Sequence, residues 1–277
     1  MSHYLLKKTN PIKLYTPEEF QGVRNACQVT ARCLDSLVEI VKPGITTNEI
    51  DYFVFKFGID NGAFPATLNY RGYKKSTCTS INHVVCHGIP NDKPLQNGDI
   101  VNIDVTYVLD GWYGDASRMY PIGKIKRSAE RLLEVTYEAL CRGIATVKPN
   151  APIESIGQAI QTYAEKERCS VVKAFCGHGI GHVFHDKPEI LHYSDPTLQS
   201  EGNFQEGMIF TIEPMINLGL PDVKMLSDGW TAVTRDRSLS AQYEHTIGVT
   251  KTGYEIFTLS PAGLERPGFP HSQKKYT

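Results

Sequence analysis

No excess of either charge runs through the chain: 29 Lys and Arg against 30 Asp and Glu leave a net charge of −1. Without a basic surplus, nucleic acid and anionic membrane are excluded as main ligands, because both are bound through dense positive charge. No apolar run approaches the roughly 18 residues that span a bilayer. The opening stretch, Met1 to Pro11, is polar and lacks the apolar centre of a secretory signal. No membrane partner and a cytoplasmic location are therefore expected. Cysteine is sparse, at seven residues, and no Cys-x-x-Cys occurs. That spacing excludes a zinc ribbon. An odd count in a chain of 277 residues argues against a disulfide framework and for a reducing compartment. What remains is an ordinary globular composition, 41% hydrophobic and 21% charged, enough for a sizeable core.

Three short echoes recur in the same order. Val41-Lys42-Pro43 is matched by Val147-Lys148-Pro149, and His87-Gly88-Ile89 by His178-Gly179-Ile180. The segment from Gly98 through Ile100, Val101 and Ile103 to Asp104 is matched by Gly207, Ile209, Phe210, Ile212 and Glu213. Their shared order argues for a duplicated α+β unit.

The local patterns agree. Thr16-Pro17-Glu18-Glu19 predicts a helix start, with Thr16 as N-cap, Pro17 in the first turn and Glu19 closing a capping box. Phe20, Val23, Cys27, Leu34, Val38 and Val41 follow at helical spacing, and Lys42-Pro43-Gly44 stops the helix. Thr46 and Glu49 cap a second helix carrying Ile50, Val54 and Phe57. Further on, Ser128 is the expected cap of a helix with Leu133, Tyr137, Leu140, Ile144 and Val147, ending at Lys148-Pro149. A shorter helix with Ile156, Ile160 and Tyr163 follows. Two helices and then strands, twice over, predict a largely antiparallel sheet covered by helices on one side. A ligand site is expected where the halves meet.

The most informative segment runs from Ile100 to Met119. Val101, Ile103, Val105 and Tyr107 alternate with Asn102, Asp104 and Thr106, the mark of a strand with one apolar and one polar face. Asp110-Gly111 reads as a two-residue hairpin turn. That turn would set Asp115 opposite Thr106 and Asp104 opposite Ser117, on one face and on a diagonal of about 7–8 Å. Two carboxylates so placed repel unless a cation lies between them or one holds a proton. Glu213 takes the position equivalent to Asp104 in the echoing strand, and Gln242, Glu244 and Thr246 share one face of a later strand. Carboxylates within apolar strands are costly unless paired or metal-bound. His178, among glycines, is the prominent nitrogen candidate. Mostly oxygen donors with one imidazole suit Mn, Fe(II) or Co, and a pair of such ions is a known hydrolytic device.

These residues resemble a known family. Cys86-His87-Gly88-Ile89-Pro90, Asn102-Ile103-Asp104-Val105, Gly114-Asp115-Ala116-Ser117, Gly177-His178-Gly179-Ile180-Gly181, Phe210-Thr211-Ile212-Glu213-Pro214 and Gln242-Tyr243-Glu244-His245-Thr246 are similar to the signature blocks of the type I methionine aminopeptidases, subfamily A of peptidase family M24. The resemblance spans about residues 12–262 and implies the α+β pita-bread (creatinase/aminopeptidase) fold, two pseudo-symmetric halves with a curved antiparallel sheet covered by helices. It implies one catalytic domain over 12–262, with halves at about 16–125 and 128–262 and terminal extensions at 1–11 and 263–277. It also implies two divalent ions, Co, Mn or Fe(II) before Zn or Ni. Asp104 would hold one ion, His178 and Glu213 the other, with Asp115 and Glu244 bridging them. By the same resemblance a hydroxide generated at the ions attacks the first carbonyl, with Glu213 as general base. His185 would stabilise the oxyanion and His87 would contact the scissile nitrogen. Tyr70, Tyr73, Cys78, His87, Phe184 and Trp230 would line the methionine pocket. The implied partners are nascent polypeptide N-termini with a small second residue, met at the ribosome by a monomer.

Three positions depart from the family's usual pattern: His182 for Arg, Ala116 for Thr, and Thr67 where some bacterial members carry a pocket cysteine. None is a proposed ligand, and His182 is expected outside the ligand set. A zinc-finger extension and a large insertion in the second half are not evident, which sets the chain apart from many eukaryotic type I members and from type II. A proline-directed pita-bread peptidase and a non-enzymatic binding relative are the alternatives. The first leans on extra histidines, and the second loses ligands that all five positions here retain.

Overall fold

The structure, a computed structural model, describes residues 11–198 and 201–269. Of the two expected terminal extensions, 1–10 and 270–277 lie outside the described residues. The four α-helices among the described residues are α1 (Phe20–Leu37), α2 (Thr47–Asp60), α3 (Arg127–Ile144) and α4 (Ser155–Lys166). Each helix pair precedes a group of strands, as the patterns predict. Every strand pairing among the described residues is antiparallel.

Local chemistry sets the helix ends. The Thr16 backbone N–H donates to Glu19 Oε2 at 2.8 Å and the Glu19 N–H to Thr16 Oγ1 at 3.2 Å, the expected reciprocal pair, but it closes the turn ahead of α1, whose N-cap position is Glu19 and not Thr16. Helix α1 ends at Leu37, short of Lys42-Pro43-Gly44. The chain continues in turns, and Val41 N–H still bonds Leu37 O at 2.9 Å. Val38 and Val41 therefore keep facing the core although they lie outside the helix. Thr46 caps α2 with a complete box to Glu49. Ser128 does not cap α3. Lys126 does, in extended backbone conformation, and its carbonyl already accepts from the Ala129 and Glu130 N–H groups at 2.9 and 3.0 Å. Ser128 thus falls inside the first turn.

The long hairpin follows the predicted register. Strands Ile100–Leu109 and Trp112–Pro121 pair Leu109 with Trp112, Thr106 with Asp115 and Asp104 with Ser117. Asp110 and Gly111 both have positive φ, 50° and 79°, as a primed two-residue turn requires. The apolar face of this hairpin packs on α1 and α2 in one core, through Val101, Ile103, Val105, Tyr107 and Ala116. A second core joins α3 and α4 to strands Ile209–Ile212, Met215–Asn217, Ser240–Gln242 and His245–Val249.

The two glutamates expected within strands stand instead at breaks. Glu213 follows Ile209–Ile212 and precedes Pro214, which has no N–H for a ladder. Glu244 separates Ser240–Gln242 from His245–Val249, because its N–H leaves the sheet to bond Ser117 O at 3.1 Å. That contact, with Asn102 Nδ2 donating to Gln242 O at 2.8 Å and Thr246 Oγ1 to Asp115 O at 2.7 Å, stitches the hairpin to the second core.

Helix α1 lies directly on Gly114, the neighbour of Asp115. A Cβ there would come within 2.4 Å of Cys27 N and 2.6 Å of Ala26 C. Gly114→Ala is expected to push α1 off the hairpin at a cost of about 1–3 kcal/mol. Urea unfolding should show a lower midpoint at unchanged m-value.

Candidate active site

Asp104 and Asp115 project from the front face of the hairpin, and Glu213 and Glu244 approach from the second core. Asp115, His178 and Glu244 bring ligand atoms within 4.8 Å of one another. Glu213 flanks them, its Oε1 lying 3.7 Å from His178 Nε2. Asp104 stands outside that close group, yet its charge bears on Asp115, Glu213 and Glu244. All five sequence candidates therefore gather at one place.

His178 is held in one tautomer. Its Nδ1 lies 3.1 Å from the Gly179 carbonyl, which accepts only, so Nδ1 carries the hydrogen. Burial lowers its pKa to about 4, which leaves Nε2 as a bare lone pair. That lone pair faces Asp115 Oδ2 and Glu213 Oε1, both at 3.7 Å. The glycines around it are spatial necessities: a Cβ on Gly179 would come within 1.9 Å of Lys187 O.

Hydrogen bonds position the carboxylates without neutralising them. Thr106 Oγ1 donates to Asp115 Oδ1 at 2.7 Å, and Thr211 Oγ1 donates to Glu213 Oε1 at 2.8 Å. Gln242 Nε2 reaches Glu213 Oε2 at 3.2 Å, and the Glu213 N–H donates to His192 Nε2 at 3.1 Å. Burial raises the pKa of Asp104 to about 7 and of Glu213 to about 8. Asp115 and Glu244 are raised well above the usual range by burial and then by their acidic neighbours. A lone pair aimed at carboxylates, with no lysine or arginine of the described residues among their interacting groups, is the environment a cation would relieve. The donor set fits divalent metal ions.

A wall of rings adjoins the carboxylates. His185 lies 4.1 Å from the His178 ring centre and 5.1 Å from Tyr70, on which it stacks. Phe184 packs on Tyr70 at 4.9 Å. Tyr73 meets Trp230 at 5.1 Å, and His87 meets Trp230 at 6.3 Å. Cys78 pairs with Asp104 across adjacent strands. The predicted pocket residues thus form two aromatic groups, Tyr70 and Phe184 with His185 against His178, and Tyr73 and His87 on Trp230. His87 has a left-handed backbone, φ 56°, a costly conformation outside glycine that marks a constrained position. Burial lowers its pKa to about 4. The His185 pKa also falls, through burial and then through the positive charges His178, His87 and Arg71 can carry.

The departures have local explanations. Ala116 turns into the helical core, away from the carboxylates. His182 stands apart from them, donating from Nδ1 to Gly111 O at 2.9 Å and stacking on Trp112 at 3.6 Å. Thr67 is buried with a hydroxyl that finds no partner among the described residues. Sequence reasoning missed Thr106, Thr211, Gln242 and His192 as holders of the carboxylates. Thr106 and Thr211 each lie two residues from a predicted ligand on one strand face, which is a usable signal. No such signal reaches His192.

Residues 21–251 match the model of metallopeptidase family M24. The chain belongs to that family. This M24 chain is 56% identical to a methionine aminopeptidase of Rickettsia prowazekii over 260 residues, 93% of this chain and 99% of that protein. It is 48% identical to the Escherichia coli methionine aminopeptidase over 250 residues, 90% of this chain and 94% of the other. The crystal structure of the Rickettsia prowazekii enzyme superposes with a TM-score of 0.87, covering 90% of this chain and all of that one. Prolidase from Pyrococcus furiosus superposes at 0.70 over 88% of this chain and 65% of its own, at 21% identity, and shares the fold alone. The M24 chain has the α+β pita-bread architecture. No described helix is long and apolar enough to cross a membrane.

The titrating groups give the metal-free M24 chain a distinctive pH response. Buried His87, His178 and His192 have lowered pKa values, so unfolding takes up protons on them below about pH 6.5 and stability rises with pH there. The carboxylates act in reverse: raised to about 7 at Asp104 and about 8 at Glu213, they keep protons that the unfolded chain has released. Above about pH 6.5 only the second effect operates. The chelated protein is expected to lose Tm as pH rises from 6.5 to 8, and Mn(II) should raise Tm more at the upper end. Thermal scans with chelator or Mn(II) check this; a chelated Tm that climbs over that range contradicts it.

Proposed function

We propose that this protein is a type I methionine aminopeptidase, removing the first methionine from nascent chains with a small second residue. The observation that carries the reading is the His178 lone pair aimed at buried carboxylates beside two aromatic groups. Near-full-length identity to enzymes of that name supports the substrate.

Asp104, Asp115, His178, Glu213 and Glu244 would hold two divalent ions. Asp115 and Glu244 would lie between them, Asp104 would serve one, and His178 and Glu213 the other. Co, Mn and Fe(II) suit these donors better than Zn or Ni. Such ions, when bound, polarise the attacked carbonyl and make a water acidic.

The remaining work falls to side chains. Glu213 is desolvated and therefore basic, with Thr211 and Gln242 fixing its two oxygens. It takes a proton from the attacking water. His185, its ring fixed against Tyr70 and kept neutral, donates to the substrate carbonyl as negative charge develops there. His87, also neutral, contacts the scissile nitrogen. Tyr70, Tyr73, Cys78, His87, Phe184 and Trp230 form the walls for a polarizable thioether. The free α-amine is recognised at the acidic cluster, which confines cleavage to the first residue. Residues 12–262 act as one catalytic domain, a monomer in the cytoplasm that meets chains as they leave the ribosome.

Asp104→Asn and Glu213→Gln are expected to lower kcat/KM by at least about 10²-fold with far-UV circular dichroism unchanged. Both should raise the Tm of the chelated protein at pH 8, because each removes a buried like charge. Wild-type kcat/KM in either variant would defeat the assignment. Chelation should abolish cleavage of a Met-Gly peptide, and Mn(II), Co(II) or Fe(II) should restore it. A preference for Xaa-Pro peptides would instead point to proline-directed chemistry.

A further inference from the structure

The carboxylates come from two strand systems joined by one backbone bridge, Ser117 opposite Glu244, and flanked by the side-chain ties Asn102 to Gln242 O and Thr246 to Asp115 O. In front of that bridge Asp115 and Glu244 converge. Behind it the next residue of each strand, Arg118 and His245, is buried at 2% and 3% exposure, and both face one carboxylate, Glu265. Arg118 Nε lies 3.9 Å and His245 Nε2 3.6 Å from the same oxygen, Glu265 Oε2.

His245 is held from its other side: Thr258 Oγ1 lies 2.8 Å from His245 Nδ1 and accepts from the Thr246 N–H at 3.1 Å, which leaves His245 Nε2 facing Glu265. Glu265 is itself anchored: its Oε1 accepts from the Ser260 backbone N–H. Ser260 Oγ donates to Asp35 Oδ1 at 2.6 Å, and the same Asp35 oxygen takes Arg118 Nη1 at 2.5 Å. The segment after the last strand, Tyr254–Ile256, is thus built onto α1 and grips both strands from the rear.

The proposed chemistry uses none of these groups. Like charges in front push the strands apart, while the bridge and its two flanking side-chain hydrogen bonds are each worth about 1 kcal/mol net. Arg118 Nη2 and Glu265 Oε2 lack hydrogen-bond partners among the described residues. Incompletely bonded buried charge is a poor device for stability alone, which favours a geometric role.

We infer that Glu265 is a positioning residue: by holding Arg118 and His245 together behind the Ser117–Glu244 bridge, it sets the separation of Asp115 and Glu244 and so the affinity for the second ion. The inference rests on the two-ion reading above. Its test is anaerobic calorimetric titration of the full chain with Mn(II) for wild type, Glu265→Gln and Arg24→Ala. Arg24 bonds Glu255 at 2.7 and 2.9 Å at the partly exposed flank of α1 and serves as a control tie that faces no proposed ligand.

Glu265→Gln is expected to weaken the second binding step about tenfold, as loss of a supporting partner behind metal ligands does. The Mn(II) concentration that half-restores kcat should move by the same factor, with KM unchanged at saturating Mn(II). Arg24→Ala should lower Tm and leave the isotherm alone. Where Glu265→Gln does not fold, Arg118→Lys takes its place, with a weakening in the same direction. A folded variant with the wild-type isotherm overturns the role of Glu265 while leaving the two-ion reading intact. A wild-type protein that takes up fewer than two ions overturns that reading, and this inference with it.

Discussion

Repulsion among buried groups at the junction of the two cores sets the terms for what surrounds them. Asp115, Glu244 and the His178 lone pair share a volume only a few ångströms across, with Glu213 at its edge and Asp104 bearing on it electrostatically. Left to themselves these groups would take protons or move apart. Burial keeps the carboxylates easy to protonate, and the fold opposes the second motion by supplying donors that orient the oxygens. Thr106 and Thr211 do this from the same strand faces as the carboxylates they serve, and Gln242 does it from a neighbouring strand.

The same constraint explains why the two glutamates stand at breaks in strands. A carboxylate inside a regular ladder is bound to the direction of the pleat. Pro214 after Glu213, and the escape of the Glu244 N–H to Ser117, release each residue to turn toward the hairpin. His192, taking the Glu213 N–H on its Nε2, satisfies a backbone donor that the broken strand leaves over. Helix α1 then closes the rear, packed so tightly on Gly114 that the hairpin cannot retreat.

Local signals carried far in this sequence. The hairpin register was legible from period-two alternation and one Asp-Gly turn, since both act over a few residues. The reciprocal pair at Thr16 and the capping box at Thr46 were legible for the same reason. Ser128 misled because an N-cap is chosen by backbone conformation as much as by side chain, and the extended residue is Lys126. The strand breaks at Glu213 and Glu244 were hidden because their partners lie more than a hundred residues away or depend on a missing N–H. The echoed His-Gly-Ile segments also differ locally, His178 lying in a strand and His87 in a left-handed bend. Which carboxylates converge was thus written in spacing, whereas what steadies them was written in contacts between distant segments.

One consequence of the hairpin concerns chain length. Its ten-residue strands are joined by a turn of two residues, and Asp104 and Asp115 share a face only while that count holds. Adding or deleting a single residue between them would rotate one carboxylate into the helical core and bring an apolar neighbour forward. Related chains are therefore free to vary in length through the surface connections, but the stretch from Asp104 to Asp115 behaves as a fixed ruler, tolerant of exchange and intolerant of insertion.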